Sequence, residues 1–216
     1  PGFVERKLIA RGVETTVTVP ERYGNLQFVS AGCQGIVVSA TDSVTGNNVA
    51  IKKILEPFRT QGNAQRPFRE IALLSSVKHP NIIPLFSVFT SQQTEDTFQD
   101  IYLVMELMPH NLKEVSIKSK LDHKTLSFFF YQILCAVNHL HKSGIIHRDL
   151  NPCNIAVNGK ARIKVLDFGL ARNYQETTSR PNMTAYVVTR YYRAPEILLA
   201  QNYGDKGRFG HLKFNF

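Results

Sequence analysis

Tryptophan is absent from this chain of 216 residues, and cysteine occurs only three times. Cys33, Cys135 and Cys153 are odd in number and no two have metal-ligand spacing. That excludes a disulfide framework or a zinc cluster and points to reduced thiols, as in a cytoplasmic or nuclear protein. Long apolar runs are missing too. The strongest, Leu126 to Val137, is broken by Ser127 and Gln132 and falls short of the roughly 20 residues that span a bilayer. No membrane partner is expected. Acidic residues are the minority, 17 against 26 Lys and Arg, which leaves a formal charge of +9. The basic residues form no block: Lys52-Lys53, Lys113, Lys118, Lys120 and those between Arg172 and Arg193 are dispersed. A solvated basic surface is therefore preferred to a nucleic-acid face. The chain opens Pro1-Gly2-Phe3 without Met or a basic-then-apolar leader, so its true start is expected upstream.

What is present is enough apolar residue, 43%, to build a core and exclude dominant disorder. The first half reads as strands: Glu14 to Val19, Leu26 to Ser30, Gly35 to Ala40 and Asn48 to Ile54, with Thr45 to Asn48 as a turn. Gln65 to Val77 changes to a helical period, with Phe68, Ile71, Leu73 and Leu74 on one face and Pro80 as the stop. Asp100 to Leu107 is a further buried strand. Leu126, Phe129, Phe130, Ile133, Leu134, Val137 and Leu140 then recur at helical spacing and read as a core helix. Short strands follow at Ile155 to Val157 and Ile163 to Leu166. A strand-rich first lobe and a helical second lobe are expected.

Four separated segments converge on phosphate chemistry. Val29-Ser30-Ala31-Gly32-Cys33-Gln34-Gly35-Ile36-Val37 sets glycines between two strands, where backbone amides can approach phosphate oxygens closely. Val49-Ala50-Ile51-Lys52 puts an ammonium on the next strand, and Glu70 on the following helix supplies a carboxylate to hold it. His147-Arg148-Asp149-Leu150-Asn151-Pro152-Cys153-Asn154 spaces a carboxylate and an amide five residues apart, suited to a proton acceptor and a metal ligand. Asp167-Phe168-Gly169 adds a second carboxylate. Phosphoryl transfer needs these parts: a phosphate cradle, a cation, metal-binding groups and a base near the hydroxyl nucleophile.

In this order, and with Ala194-Pro195-Glu196 after them, the motifs resemble the protein kinase family over about residues 20 to 205. Met183-Thr184-Ala185-Tyr186 and Val187 to Glu196 are similar to the mitogen-activated protein kinases. Phe98-Gln99-Asp100, Val104 to Met108, Ala64-Gln65-Arg66 and Tyr191-Tyr192 look most like the c-Jun N-terminal, stress-activated branch. The resemblance implies an α+β, bilobal kinase fold: an N-terminal extension with a strand over 1–22, an N-lobe over 23–104, a hinge over 105–111, a shortened helical C-lobe over 112–206 and a divergent tail over 207–216. It implies ATP and Mg²⁺ as cofactors and Pro-directed phosphorylation of protein Ser or Thr. Partners would be Ser/Thr-Pro substrates, an upstream dual-specificity kinase, and docking peptides or scaffolds.

Residue roles follow from the same resemblance. Asp149 would accept the substrate's hydroxyl proton. Lys52 would hold phosphates and pair with Glu70, and Asn154 and Asp167 would bind Mg²⁺. Glu106 and Met108 would offer backbone groups to adenine, with Met105 behind it and Val37, Ala50, Ala156 and Leu166 around the ring. Phosphate on Thr184 would dock on Arg69, Arg148 and Arg172, and phosphate on Tyr186 on Arg190 and Arg193. Leu112, Val115 and Leu121 would line a docking groove or the core.

Four departures from the family pattern stand out. Ala185 stands where the stress-activated branch has Pro, and Ser30 where the glycine loop has its first Gly. Asn151 stands where the Ser/Thr kinase pattern has a Lys that supports the transferred phosphate. Loss of that charge should slow transfer by about 10- to 100-fold, and Asn151→Lys should restore rate. After Glu196 the family continues with an Asp-x-Trp segment and a long apolar helix. Here Gly207 to Phe216 has no helical period, which would leave much of the Leu126 to Leu140 face uncovered. The alternative to an active enzyme is a weakly active or inactive kinase-like binding module.

Overall fold

In the computed structural model, which describes residues 2–173 apart from 11, 33, 34, 93 and 95–97, the chain divides into two units. One comprises Pro1–Ser75 and Pro84–Leu107; the other comprises Ser76–Ile83 and the chain from Met108 onward. Thr184, Tyr186, Arg190, Arg193, the Ala194-Pro195-Glu196 motif and the tail lie outside the described residues, as do Cys33 and Gln34.

The first unit opens with a hairpin, β1 (Phe3–Ala10) and β2 (Val13–Pro20), and continues through β3 (Tyr23–Gly32), β4 (Gly35–Asp42), β5 (Asn48–Leu55), helix α1 (Gln61–Ser76), β6 (Leu85–Phe89) and β7 (Asp100–Glu106). The last five strands make one antiparallel sheet in the order β3-β4-β5-β7-β6. Strict alternation gives the sheet two apolar faces. Ile36, Val38, Ala40, Val49, Ile51, Tyr102 and Val104 form one, together with Val17 and Val19 of the hairpin. Complete burial of each of those two valines contributes about 1.5–3 kcal/mol, so the hairpin is a cover for this face. Polar clamps set its register. Lys53 donates to the Thr16 carbonyl at 2.9 Å and pairs with Asp100 at 2.9 Å. The Thr18 amide donates to the Tyr102 hydroxyl at 3.2 Å.

The N-terminal strand expected at Glu14 to Val19 is therefore one arm of a hairpin. Its partner β1 alternates weakly and is mostly exposed, so its own sequence gives little sign of pairing. Helix α1 starts four residues before the expected Gln65. Thr60 caps it by accepting at Oγ1 from the Asn63 amide at 3.1 Å. Phe68 is exposed, contrary to expectation, while Pro67, Glu70 and Leu74 are buried. The helix is rotated toward the side that carries Glu70, because that carboxylate has a cation to meet.

The second unit contains β8 (His110–Asn111), α2 (Leu112–Lys118), α3 (His123–Lys142), β9 (Ile145–Ile146), a 3-10 turn (Pro152–Asn154), β10 (Ile155–Val157), β11 (Ile163–Val165) and β12 (Arg172–Asn173). Asp122 caps α3 by accepting from the Thr125 amide at 2.7 Å. Lys142 complements the dipole of its last turn. Its buried face is Phe129, Gln132, Ile133, Ala136, Val137 and Leu140. Phe130, expected on that face, is 40% exposed. Leu112 is fully buried, which gives it the core role.

Gln132, which broke the apolar run, is the polar lock of this unit. Its Oε1 accepts from Asn81 Nδ2 at 2.9 Å and from the Ile163 amide at 3.1 Å, and its Nε2 donates to the Ala161 carbonyl at 2.9 Å. The Val165 amide donates to the Asn81 carbonyl at 2.9 Å, which ties the 76–83 segment to β11. Strands β11, β10 and β8 form one small sheet, and β12 pairs with β9. No helix among the described residues is long and apolar enough to cross a membrane.

Candidate active site

The sheet register assembles one half of the predicted constellation. Directly paired residues share a face, so Val37, Lys52 and Leu103 make one row and Ser39, Ala50 and Met105 the next. This is the face opposite the hairpin. Lys52 Nζ lies 2.8 and 2.9 Å from the two carboxylate oxygens of Glu70. The pair is nearly dry, with 12% and 2% of the side chains exposed. An ion pair this buried persists only with close geometry on both oxygens, and that is what α1 provides.

Ile36, expected among the nucleotide-binding residues, does not join Val37. Its side chain is buried in the core on the other face, so only its backbone remains available. Gly32 and Gly35 face each other at the end of the β3–β4 pairing. Gly35 has φ +142, and a Cβ there would collide with the Lys53 carbonyl. The glycine is thus demanded by the approach of β5 as well as by any phosphate. Val29 is 45% exposed on β3, with Ser30 and Ala31 paired to Val37 and Ile36.

The other half lies in the second unit, around Asp149. Asn154 Nδ2 donates to Asp149 Oδ2 at 2.8 Å and to the Asp149 carbonyl at 3.0 Å. Asn151 Nδ2 reaches Asp149 Oδ1 and the same carbonyl, each at 3.2 Å. The Leu166 amide donates to the Asn154 carbonyl at 2.8 Å, so the β10–β11 hairpin sets Asn154 beside the segment that carries Asp167. The Gly169 amide donates to Asp167 Oδ1 at 3.2 Å. Arg148 and Asp167 both have positive φ, 69 and 56. Non-glycine residues held there cost on the order of 1–3 kcal/mol each and persist where surrounding contacts fix them; Asn25, Glu56 and Ala161 share the property outside this loop.

His147 opens the segment that carries Asp149. The ring is buried, its Nε2 bonds to the Leu166 carbonyl at 2.9 Å, and its Nδ1 accepts from the Asp149 amide at 3.2 Å. Donating at one nitrogen and accepting at the other is what a neutral imidazole does. Burial pushes the ring below its ordinary pKa, against the opposing pulls of the Leu166 carbonyl and the Asp167 charge. His147 thereby links Asp149 to the Asp167 segment, with Phe168 packed edge-on at 4.8 Å between ring centroids. Sequence alone gave no sign of this, since the two partners are backbone groups.

The remaining expected residues are dispersed over both units. Ala156 is buried on β10, Leu166 follows β11, Glu106 ends β7 and Met108 begins the second unit's longer segment. Arg69 stands next to Glu70 on α1, and Arg172 in β12 donates to the Ala171 carbonyl at 2.9 Å. Their expected phosphate partners fall outside the described residues.

Comparison with known proteins places the chain in a family. The protein kinase domain matches residues 23–207. The chain is also similar to GLH-binding kinase 1 of Caenorhabditis elegans, 56% identical over 195 residues, which cover 90% of this chain and 50% of that protein. It spans half the length of this curated relative. With a nearly dry Lys52–Glu70 pair, a loop that grips Asp149 and a family match over residues 23–207, the chain belongs to the protein kinase family.

Proposed function

We propose that the chain transfers a phosphoryl group from ATP to Ser or Thr hydroxyls followed by Pro, as a stress-activated type of mitogen-activated protein kinase. The observation that carries the reading is Asp149 held by two amides beside the Asn154–Asp167 corner. ATP with a divalent cation supplies the phosphoryl group. The donor set fits: Asn154, whose NH₂ bonds Asp149, would offer its amide oxygen, and Asp167 would add a carboxylate. Hard oxygen donors in such small number suit Mg²⁺, which keeps waters and substrate phosphates as its other ligands. Lys52, fixed by Glu70, holds phosphate oxygens. Asp149 orients the attacking hydroxyl and takes its proton.

The Thr184-Ala185-Tyr186 segment supports regulation by an upstream dual-specificity kinase, with Arg69, Arg148, Arg172, Arg190 and Arg193 as phosphate receivers. A relative named for binding GLH supports a protein partner for this chain as well, through docking peptides or scaffolds. The free thiols of Cys135 and Cys153 support a reducing compartment, cytoplasm or nucleus. One observation favours a second reading, a weakly active or inactive binding module: a neutral amide, Asn151, occupies the place of the phosphate-supporting Lys. Transfer from ATP to a Ser-Pro peptide separates the two. We expect transfer that Asp149→Asn abolishes; a wild-type rate equal to that variant's would overturn the enzyme reading.

A further inference from the structure

Asn151 is 6% exposed and both ends of its side chain are engaged. Its Nδ2 donates to Asp149 Oδ1 and to the Asp149 carbonyl, both at 3.2 Å. Its Oδ1 accepts from the Cys153 amide at 2.9 Å and caps the 3-10 turn. Its backbone carbonyl accepts from the Asn154 amide at 2.9 Å. Asn154 mirrors it, donating to the other carboxylate oxygen and to the same carbonyl. The two amides therefore grip one carboxylate from both oxygens, with Pro152 and Cys153 of the 3-10 turn locked between them.

We propose that Asn151 is a positioning residue that orients the Asp149 carboxylate. Only a side chain with a donor and an acceptor on one planar head does both jobs. Lysine has donors and no acceptor, so Asn151→Lys would leave the Cys153 amide without its cap. An ionised aspartate has acceptors and no donor. Serine can cap the turn but is one atom too short to reach the carboxylate. The residue that looked like a lost charge is, in this geometry, a clamp on the base. Its catalytic consequence rests on the kinase reading, while its structural part stands on the geometry alone.

Two measurements on the full chain test it. In ¹⁵N-labelled protein without nucleotide, the Asn151 side-chain amide pair is identified as the one missing from Asn151→Ala. Asp149→Ala should shift that pair upfield, because its charged acceptor has gone; an unshifted pair overturns the proposal. In the transfer assay, Asn151→Ser keeps a capping hydroxyl and adds no charge. It should lower kcat by about tenfold with peptide and ATP KM values within about twofold of wild type and little change in melting midpoint. A kcat equal to wild type would show that Asn151 only caps the turn, and overturns the positioning role. If wild type itself transfers nothing, the kinase reading fails, and the amide shift still decides whether Asn151 grips Asp149.

Discussion

Glu70 is 2% exposed, and the ammonium of Lys52 is what makes burial of its carboxylate tolerable. Removing one member of such a pair strands the other charge, which typically costs about 3–5 kcal/mol, whereas replacing both by apolar groups is often near neutral. Lys52→Met should therefore lower unfolding free energy by roughly that amount in urea titrations. The double variant Lys52→Met/Glu70→Leu should recover most of it while remaining unable to transfer phosphate. A double variant no more stable than the single one would show that the pair's burial is not the source of the cost. At this scale the site was legible where a motif names a side chain, as with Lys52, Glu70, Asp149, Asn154 and Asp167. It was illegible where the chemistry passes through backbone, as with the His147 bonds to the Leu166 carbonyl and the Asp149 amide.

The elements hold register through a few polar anchors, and one of them titrates. Asp42 ends β4, accepts from the Arg22 guanidinium at 2.9 Å, and also takes the Val44 amide and the Thr45 hydroxyl. The Arg22 hydrogen bond, with lesser help from Val44 and Thr45 against the opposing effect of burial, lowers its pKa from 3.8 to about 2. The folded chain thus releases this proton more readily than the unfolded one. Its contribution is complete above the unfolded value near 3.8 and disappears as pH falls through about 2. The melting midpoint of wild type should approach that of Asp42→Asn as pH falls across that window, and a constant gap would refute the assignment. This anchor was missed in the sequence because Arg22 and Asp42 are 20 residues apart and meet only once β3 and β4 pair. The strands themselves were readable from alternation in β4 and from apolar, β-branched runs in β5 and β7. β1 and β6 were not, since one is largely solvent-facing and the other is a five-residue edge strand.

Across the whole molecule, the Lys52–Glu70 pair belongs to one unit and Asp149, Asn154 and Asp167 belong to the other. The proposed reaction draws on both sets at once, so ligand binding should be visible as stability. A ligand that binds only the native state stabilises it by RT ln(1 + [L]/Kd), about 2.7 kcal/mol at a hundredfold excess over Kd. For a chain of this size that amounts to a rise of several degrees in melting midpoint. ATP with Mg²⁺ should give such a rise, and ATP with a chelator a smaller one. The difference isolates the cation, for which Asn154 and Asp167 are the proposed ligands. Asp167→Asn should erase that difference without removing the smaller, metal-independent rise. Lys52→Met acts on the phosphates themselves and should diminish both. Equal rises with and without Mg²⁺ in the wild-type chain would separate nucleotide binding from the metal corner. No rise under either condition would count against the phosphate-handling reading of both units together.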